Sequence, residues 1–362
     1  MAIALQSVLP EELASACGVD LADARRLISQ VHRHGTLPDR CPATIRRKAL
    51  DLVRAQGHVP TLELAERRES REDPFVKLAF RLADGAVVET VRIPLERAGR
   101  FAVCVSSQVG CALACAFCAT GRMGLVRNLE AWEIVEQVRV VRAGLPPGGR
   151  IHGVLFQGMG EPMANLDRVL HAVRVLSEPC AQAIDMRNIT VCTAGLPAGI
   201  RRLYRELPAV RLGVSLGAVI PGRRRALMPI EGAHPLGEVL EATGEHARAT
   251  GRSPMLAYTL LAGQNDADED AVALAELALR FGAAWGVMPR LSLIPYNSLG
   301  EGDPFARSAR LPAFREQIRA RGVGTIVRYS GGGDVGAACG QLAGPKADKQ
   351  RAAMTALHPP EA

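Results

Sequence analysis

The chain has 362 residues, 48% of them hydrophobic, enough to bury one large core with room for a small second unit. No apolar run reaches the roughly 18 uncharged residues of a membrane span, and the opening MAIALQSVLPEEL lacks the basic start and long apolar centre of a signal peptide, so a soluble cytoplasmic protein is expected. The net charge of +7 favours an acidic partner, of which nucleic acid is the commonest.

Residues 1–60 read as a helical accessory domain. Pro10 and Glu11 open a short helix that Gly18 ends, Asp20 caps an amphipathic run through Val31, and a third helix fits Ala43 to Ala55. Residues 61–95 read as a linker and β-hairpin: Glu63 to Asp73 is a charged helix tail or linker, and Phe75 to Leu82 and Val87 to Ile93 alternate around Asp84-Gly85. From residue 96 to 345 strands and helices alternate. Strands fit Phe101–Ser106, Gly153–Gln157, Asn188–Cys192, Val210–Leu216, Met255–Leu261, Leu291–Tyr296 and Thr325–Tyr329; helices fit Glu130–Arg142, Leu166–Leu176, Pro235–Ala249, Asp268–Phe281 and Leu311–Arg321. Such alternation implies an α/β fold whose parallel sheet bends into a full or partial barrel, with its chemistry at the carboxyl ends of the strands. Residues 346–362 form a polar, alanine-rich tail that is expected to fray.

The segment Cys104 to Cys118, CVSSQVGCALACAFC, holds four of nine cysteines, and that crowding with an odd total suits a reducing compartment better than a disulfide framework. Cys111, Cys115 and Cys118 are spaced C-x3-C-x2-C on a loop after an apolar strand. A structural zinc takes four protein ligands and a catalytic zinc draws His or carboxylate, whereas an iron–sulfur cluster is held by thiolates. Ligand chemistry therefore favours a cluster with one open iron over zinc or inert core cysteines. This spacing resembles the radical S-adenosylmethionine (SAM) superfamily, whose open iron is chelated by the amino and carboxylate groups of SAM. Gly160 and Glu161 of Gly158-Met159-Gly160-Glu161-Pro162 follow the strand VLFQ, where close backbone approach and a rim carboxylate could receive the ammonium of SAM. Cys192 and Thr193, Ser215 and Leu216, and Asn297 end further strands and could present polar groups to the same cofactor. Cys339 stands among alanines and glycines in DVGAACGQLAG; a small buried hydrophobe is the ordinary reading, but space for a bulky partner would make it a nucleophile toward a sulfonium methyl.

CVSSQVGCALACAFC, GMGEP, LIPYN and AACGQLAG, in this order, resemble the dual-cysteine radical SAM RNA methyltransferases, the RlmN and Cfr family, over roughly residues 75–345. The resemblance implies a partial (β/α)6 radical SAM barrel, one [4Fe-4S] cluster, SAM, an electron donor such as flavodoxin, and a monomer. It implies methylation of adenosine C2 in 23S rRNA, with transfer RNA as a further substrate; C8 or another RNA is the alternative, and an iron–sulfur nucleic-acid sensor the non-enzyme one. In the family, the counterpart of Cys339 is methylated, the counterpart of Cys104 resolves the protein–RNA adduct as a disulfide, and the position of Glu89 accepts the ring proton. Departures lie at Ser215-Leu216-Gly217, where Ser-Leu-His is common, at Cys192, where serine is usual, and at Gly331 to Gly333. Candidate RNA contacts are Arg201-Arg202, Arg223-Arg224-Arg225, Arg122 and Arg127.

Overall fold

The computed structural model describes residues 2–342, so the expected tail lies outside the described residues. At the amino end, β1 (Ile3–Ala4) precedes α1 (Pro10–Cys17), α2 (Leu21–His34), α3 (Arg47–Gln56) and β2 (Gly57–His58), and β2 returns to pair in parallel with β1. Pro10 occupies the first turn of α1, Glu12 accepts the Leu9 N–H at 2.8 Å, and Gly18 closes the helix at φ 64°. Asp20 stands at the N-cap of α2 without a side-chain cap bond; it pairs with Arg46 instead. Leu13, Leu27, Ile28, Leu50 and Val53 are buried in a hydrophobic cluster continuous with that of the barrel.

The charged segment expected as a helix tail or linker is a strand, β3 (Glu63–Glu69), the outer edge of a sheet. It pairs antiparallel with β4 (Val76–Arg81), which pairs with β5 (Val87–Pro94), which pairs with β6 (Arg100–Val105). Charged side chains on both faces of an edge strand erase the alternation that reveals a strand and also discourage pairing with other chains.

After β6 the chain makes a small hairpin, β7 (Gln108–Gly110) and β8 (Leu125–Asn128), enclosing the cysteine loop and α4 (Ala119–Met123). The rest alternates: α5 (Ala131–Ala143), β9 (Arg150–Phe156), α6 (Leu166–Ser177), β10 (Ile189–Thr193), α7 (Pro197–Glu206), β11 (Arg211–Ser215), α8 (Arg223–Leu227), α9 (Leu236–Thr250), β12 (Met255–Leu260), α10 (Asp268–Trp285), β13 (Arg290–Pro295), α11 (Leu311–Arg319) and β14 (Thr325–Val327). The sheet runs β14-β13-β12-β11-β10-β9-β6-β5-β4-β3 and is parallel from β6 to β14. Six strand–helix units and β14 thus form a barrel that does not close, and the antiparallel strands extend one of its edges. All parallel strands point the same way, so the loops after β6, β9, β10, β11, β12 and β13 gather at one end. Among the described residues no helix is long and apolar enough to cross a membrane.

Candidate active site

The cysteine loop is anchored before it begins. Gln137 of α5 accepts the Ser106 N–H at 2.9 Å and donates to the Ser106 carbonyl at 3.1 Å, while Ser106 Oγ donates to the Glu89 carbonyl at 2.6 Å. Tight approaches then shape the loop. A Cβ on Gly110 would fall 1.8 Å from the Gly124 carbonyl oxygen, and one on Gly121 2.8 Å from that of Cys115. Ala114 adopts the left-handed region at φ 51°, where a non-glycine residue is uncommon. The outcome is that Cys111, Cys115 and Cys118 share the wall of one cavity. Burial, then the neighbouring Glu161 and Cys118 charges, push the Cys111 thiol up to about 12, with the Leu113 amide opposing; Cys115 is raised further, by burial and then by Cys118 and Cys111.

The same cavity is lined by Gly160, Glu161, Cys192, Thr193, Ser215 and Cys339, which spacing and strand position had singled out. Glu161 differs from the expected rim carboxylate. It is 4% exposed, and its oxygens accept the Met163 N–H at 3.0 Å and the Ala194 N–H at 2.8 Å. Burial raises its pKa against those bonds. Its backbone N–H donates to Gln108 Oε1 at 2.7 Å, and Asn165 donates to the Ser107 carbonyl at 2.8 Å, so the SSQ and GMGEP segments interlock. Gly160, at φ 95°, is required by that contact, because a Cβ would lie 2.4 Å from Gln108 Cβ. Ser106, Gln108, Gln137 and Asn165 were missed as site-building residues; only the conspicuous SSQ between two cysteines hinted at them.

Cys339 sits where two cavities meet. It lines the first with the three cysteines and a second, of about 790 Å³, with Cys104, Phe75, Val91, Tyr329 and Arg328. Gln157 borders both, accepting from Arg328 Nη1 at 2.6 Å and from the Cys192 thiol at 3.6 Å. Burial opposes the charge of Arg328, but facing Cys339, Cys192 and Cys104 holds it above its usual range. Burial and then Cys339 push the Cys104 thiol up to about 12, with Arg328 working against them. Asn297 lines neither cavity. Its Nδ2 donates to the Cys339 carbonyl at 3.1 Å and to Ser330 Oγ at 2.9 Å, and Ser330 Oγ accepts the Cys339 N–H at 3.0 Å. Asn297 therefore holds the Cys339 loop.

Glu89, the implied proton acceptor, lies on β5. It is buried and pairs with buried Lys77 at 3.2 Å, on the same face of β5 as Val91 and Ile93 of the second cavity. Leu216 is wholly buried outside the cavity, and the carbonyl of Gly217 accepts from Asn265 at 2.6 Å. Where an imidazole is common in the resembled family, Met228 fills the space: a Cβ on Gly217, at φ 70°, would fall 2.4 Å from its sulfur. The arginines expected to meet phosphate are mostly engaged. Arg201 pairs with Glu245, Arg202 with Asp167 and Glu206, Arg223 with Glu269 and Asp270, Arg122 with Asp303 and Arg127 with Asp84 and Glu133. Arg224 is 2% exposed and donates to the Leu216 and Ala194 carbonyls.

Cys111, Cys115 and Cys118 line one cavity, and thiolates are the ligands that hold an iron–sulfur cluster. Among the described residues no three His, Cys, Asp or Glu side chains close on a single ion. Comparison with known proteins agrees. Residues 105–277 match the Radical SAM superfamily. A probable RNA methyltransferase of Sorangium cellulosum (strain So ce56) is 69% identical over 95% of this chain and 93% of its own. The dual-specificity RNA methyltransferase RlmN of Anaeromyxobacter sp. (strain Fw109-5) is 42% identical over 82% of this chain and 78% of its own. Among solved structures, a radical SAM methyltransferase from Sphaerobacter thermophilus superposes with a TM-score of 0.81 at 35% identity, covering 94% of this chain and 99% of the other.

Proposed function

Because the chain belongs to the radical SAM RNA methyltransferases, enzymes that use a [4Fe-4S] cluster and SAM, we propose that it methylates adenosine at C2 in 23S rRNA and in transfer RNA. The observation that carries this reading is the position of Cys339 between the three-cysteine cavity and the cavity of Cys104. In this reading Cys111, Cys115 and Cys118 hold the cluster, and Gly160, Glu161, Cys192 and Ser215 border bound SAM. What that pair supplies when bound is abstraction of hydrogen from an unactivated carbon, needed because adenine C2 is not nucleophilic toward a methyl sulfonium.

The residues of the chain do the rest. Cys339 takes a methyl on Sγ by displacement at the first cavity and presents that carbon to the base in the second. The adduct then joins Cys339 Sγ to the base through one carbon. Glu89, paired with Lys77, accepts the ring proton, and the adduct's unpaired electron passes to a one-electron carrier. Cys104 Sγ attacks Cys339 Sγ, forming a disulfide; the bridging carbon keeps the electron pair of the broken S–C bond and takes up a proton, so the base leaves carrying a methyl group. Arg328 works against the burial that raises the Cys104 thiol. A one-electron donor of the flavodoxin class and a reducing cytoplasmic setting belong to the same reading. The test is mass spectrometry of nucleosides from cellular RNA with and without the gene. A 2-methyladenosine signal lost with the gene is expected; loss of 8-methyladenosine instead would move the reaction to C8, and no change in either would end the proposal.

A further inference from the structure

A separate polar cavity lies at the seam between the amino-terminal helices and the barrel, lined by His32 and Arg33 of α2, Arg139 and Arg142 of α5, and the turn at Cys180. Its hydrogen bonds run in one direction. Arg142 can only donate, and it does so to the Gln182 carbonyl at 3.3 Å and to Gln182 Oε1 at 3.1 Å. That orientation aims Gln182 Nε2 at Nδ1 of His32, 3.0 Å away. Nδ1 therefore accepts, and the imidazole proton resides on Nε2. His32 is 3% exposed, and its Nε2 meets no acceptor among the described residues. A buried donor left in this way loses its hydrogen bond to water without replacing it.

Charge points the same way. Arg139 is held by buried Glu136 through two bonds of 2.6 Å, and Gly35 leaves room for its guanidinium, since a Cβ there would fall 2.7 Å from Nη1. Arg142, in contrast, bonds only neutral oxygens, and Arg33 has no ion-pair partner among the described residues. The nearby acid Glu178 accepts from the Cys180 amide at 3.4 Å. Burial, then Arg139 and Arg142, lower His32 to about 4, as expected where positive charge is in excess. Two guanidinium groups without a carboxylate and an orphaned N–H together form a receptor for an oxyanion.

We propose that this cavity binds a phosphate group, held by Arg142 and Arg33 with His32 Nε2–H as the neutral donor. The site is distinct from the one described above. α5 ends at Ala143 and leads into the start of β9, whereas the catalytic cavity follows the other end of that strand; the seven residues of β9 span roughly 23 Å. The phosphate could belong to the backbone of an RNA that wraps the barrel or be free in solution, and both present the same oxygens.

The test is calorimetric titration of inorganic phosphate into the full-length, cluster-loaded protein in chloride at fixed ionic strength. Saturable one-site binding is expected, weakened about tenfold or more by Arg142→Met and by Arg33→Gln. Arg33 is exposed, so its replacement tests the site even if the first variant does not fold. A single-stranded RNA oligonucleotide that displaces phosphate identifies a backbone source, and one that leaves phosphate bound identifies a free one. Absence of saturable binding, or equal binding in wild type and the Arg33 variant, overturns the proposal.

Discussion

At Gly121 the missing side chain is itself functional. A Cβ there would crowd both the oxygen and the nitrogen of Cys115, at 2.8 and 2.9 Å, and backbone atoms cannot withdraw as a side-chain tip can. Gly121→Ala should cost roughly 1–3 kcal/mol and open the loop that carries the three thiols. Anaerobically reconstituted variant is therefore expected to retain less iron per chain than wild type; equal iron would show that the loop tolerates the shift. The thiols themselves were legible from spacing, because ligand spacing is a local property. Gly121 was not, since its constraint comes from a carbonyl six residues away in the folded loop. Gly217 is a related case: the absence of an imidazole was visible, but its replacement by the Met228 thioether depends on how the loop before α9 folds back.

Elements with one buried face were readable from periodicity, as α5, α6, α9 and α10 show, whereas α7 and β3 were not read. The PAGIRRLYRE of α7 holds two arginine-rich turns around Ile200 and Leu203, too few apolar residues to separate a helix from a basic loop. Strand β3 carries no apolar face at all. Loop roles were harder still, because they depend on partners distant in sequence. Asn297 lies 42 residues from Cys339, whose carbonyl it holds. Asn297→Ala should leave iron content unchanged while lowering the fraction of Cys339 that gains a methyl, through a looser loop. Peptide mass spectrometry after incubation with SAM reads this directly, and equal methylation in the variant would remove the positioning role.

Across the whole molecule, one apolar cluster runs from Leu5 in the amino-terminal segment to Ile318 on α11, so the helical start packs as part of the barrel rather than beside it. The alternation of strands and helices announced a parallel sheet; that the antiparallel β3–β6 segment continues the same sheet was not announced, since pairing between β6 and β9 is a tertiary choice. Stability should also follow pH through buried histidine. Burial, then Arg252, lower His246 to about 4. A folded pKa below the unfolded value of about 6.5 means that the unfolded chain binds more protons in between, so this contribution is present above pH 6.5 and lost as pH falls toward 4. Glu161 and Asp270, raised by burial, act in the opposite sense, so the histidine is isolated by comparison. His246→Phe, which preserves the edge contact with Tyr204, should flatten the fall in denaturant midpoint between pH 6.5 and 4; parallel curves would contradict the assignment.

The catalytic account depends on a methyl-derived carbon that passes from Cys339 to the base and is freed by Cys104. Mass spectrometry of Cys104→Ala, recovered without oxygen from cells that also supply RNA, tests that passage most directly. The expected result is RNA joined to the peptide containing Cys339, absent from wild type and from a Cys104→Ala, Cys339→Ala double variant. A single variant free of RNA, or linked through any other residue, would contradict it.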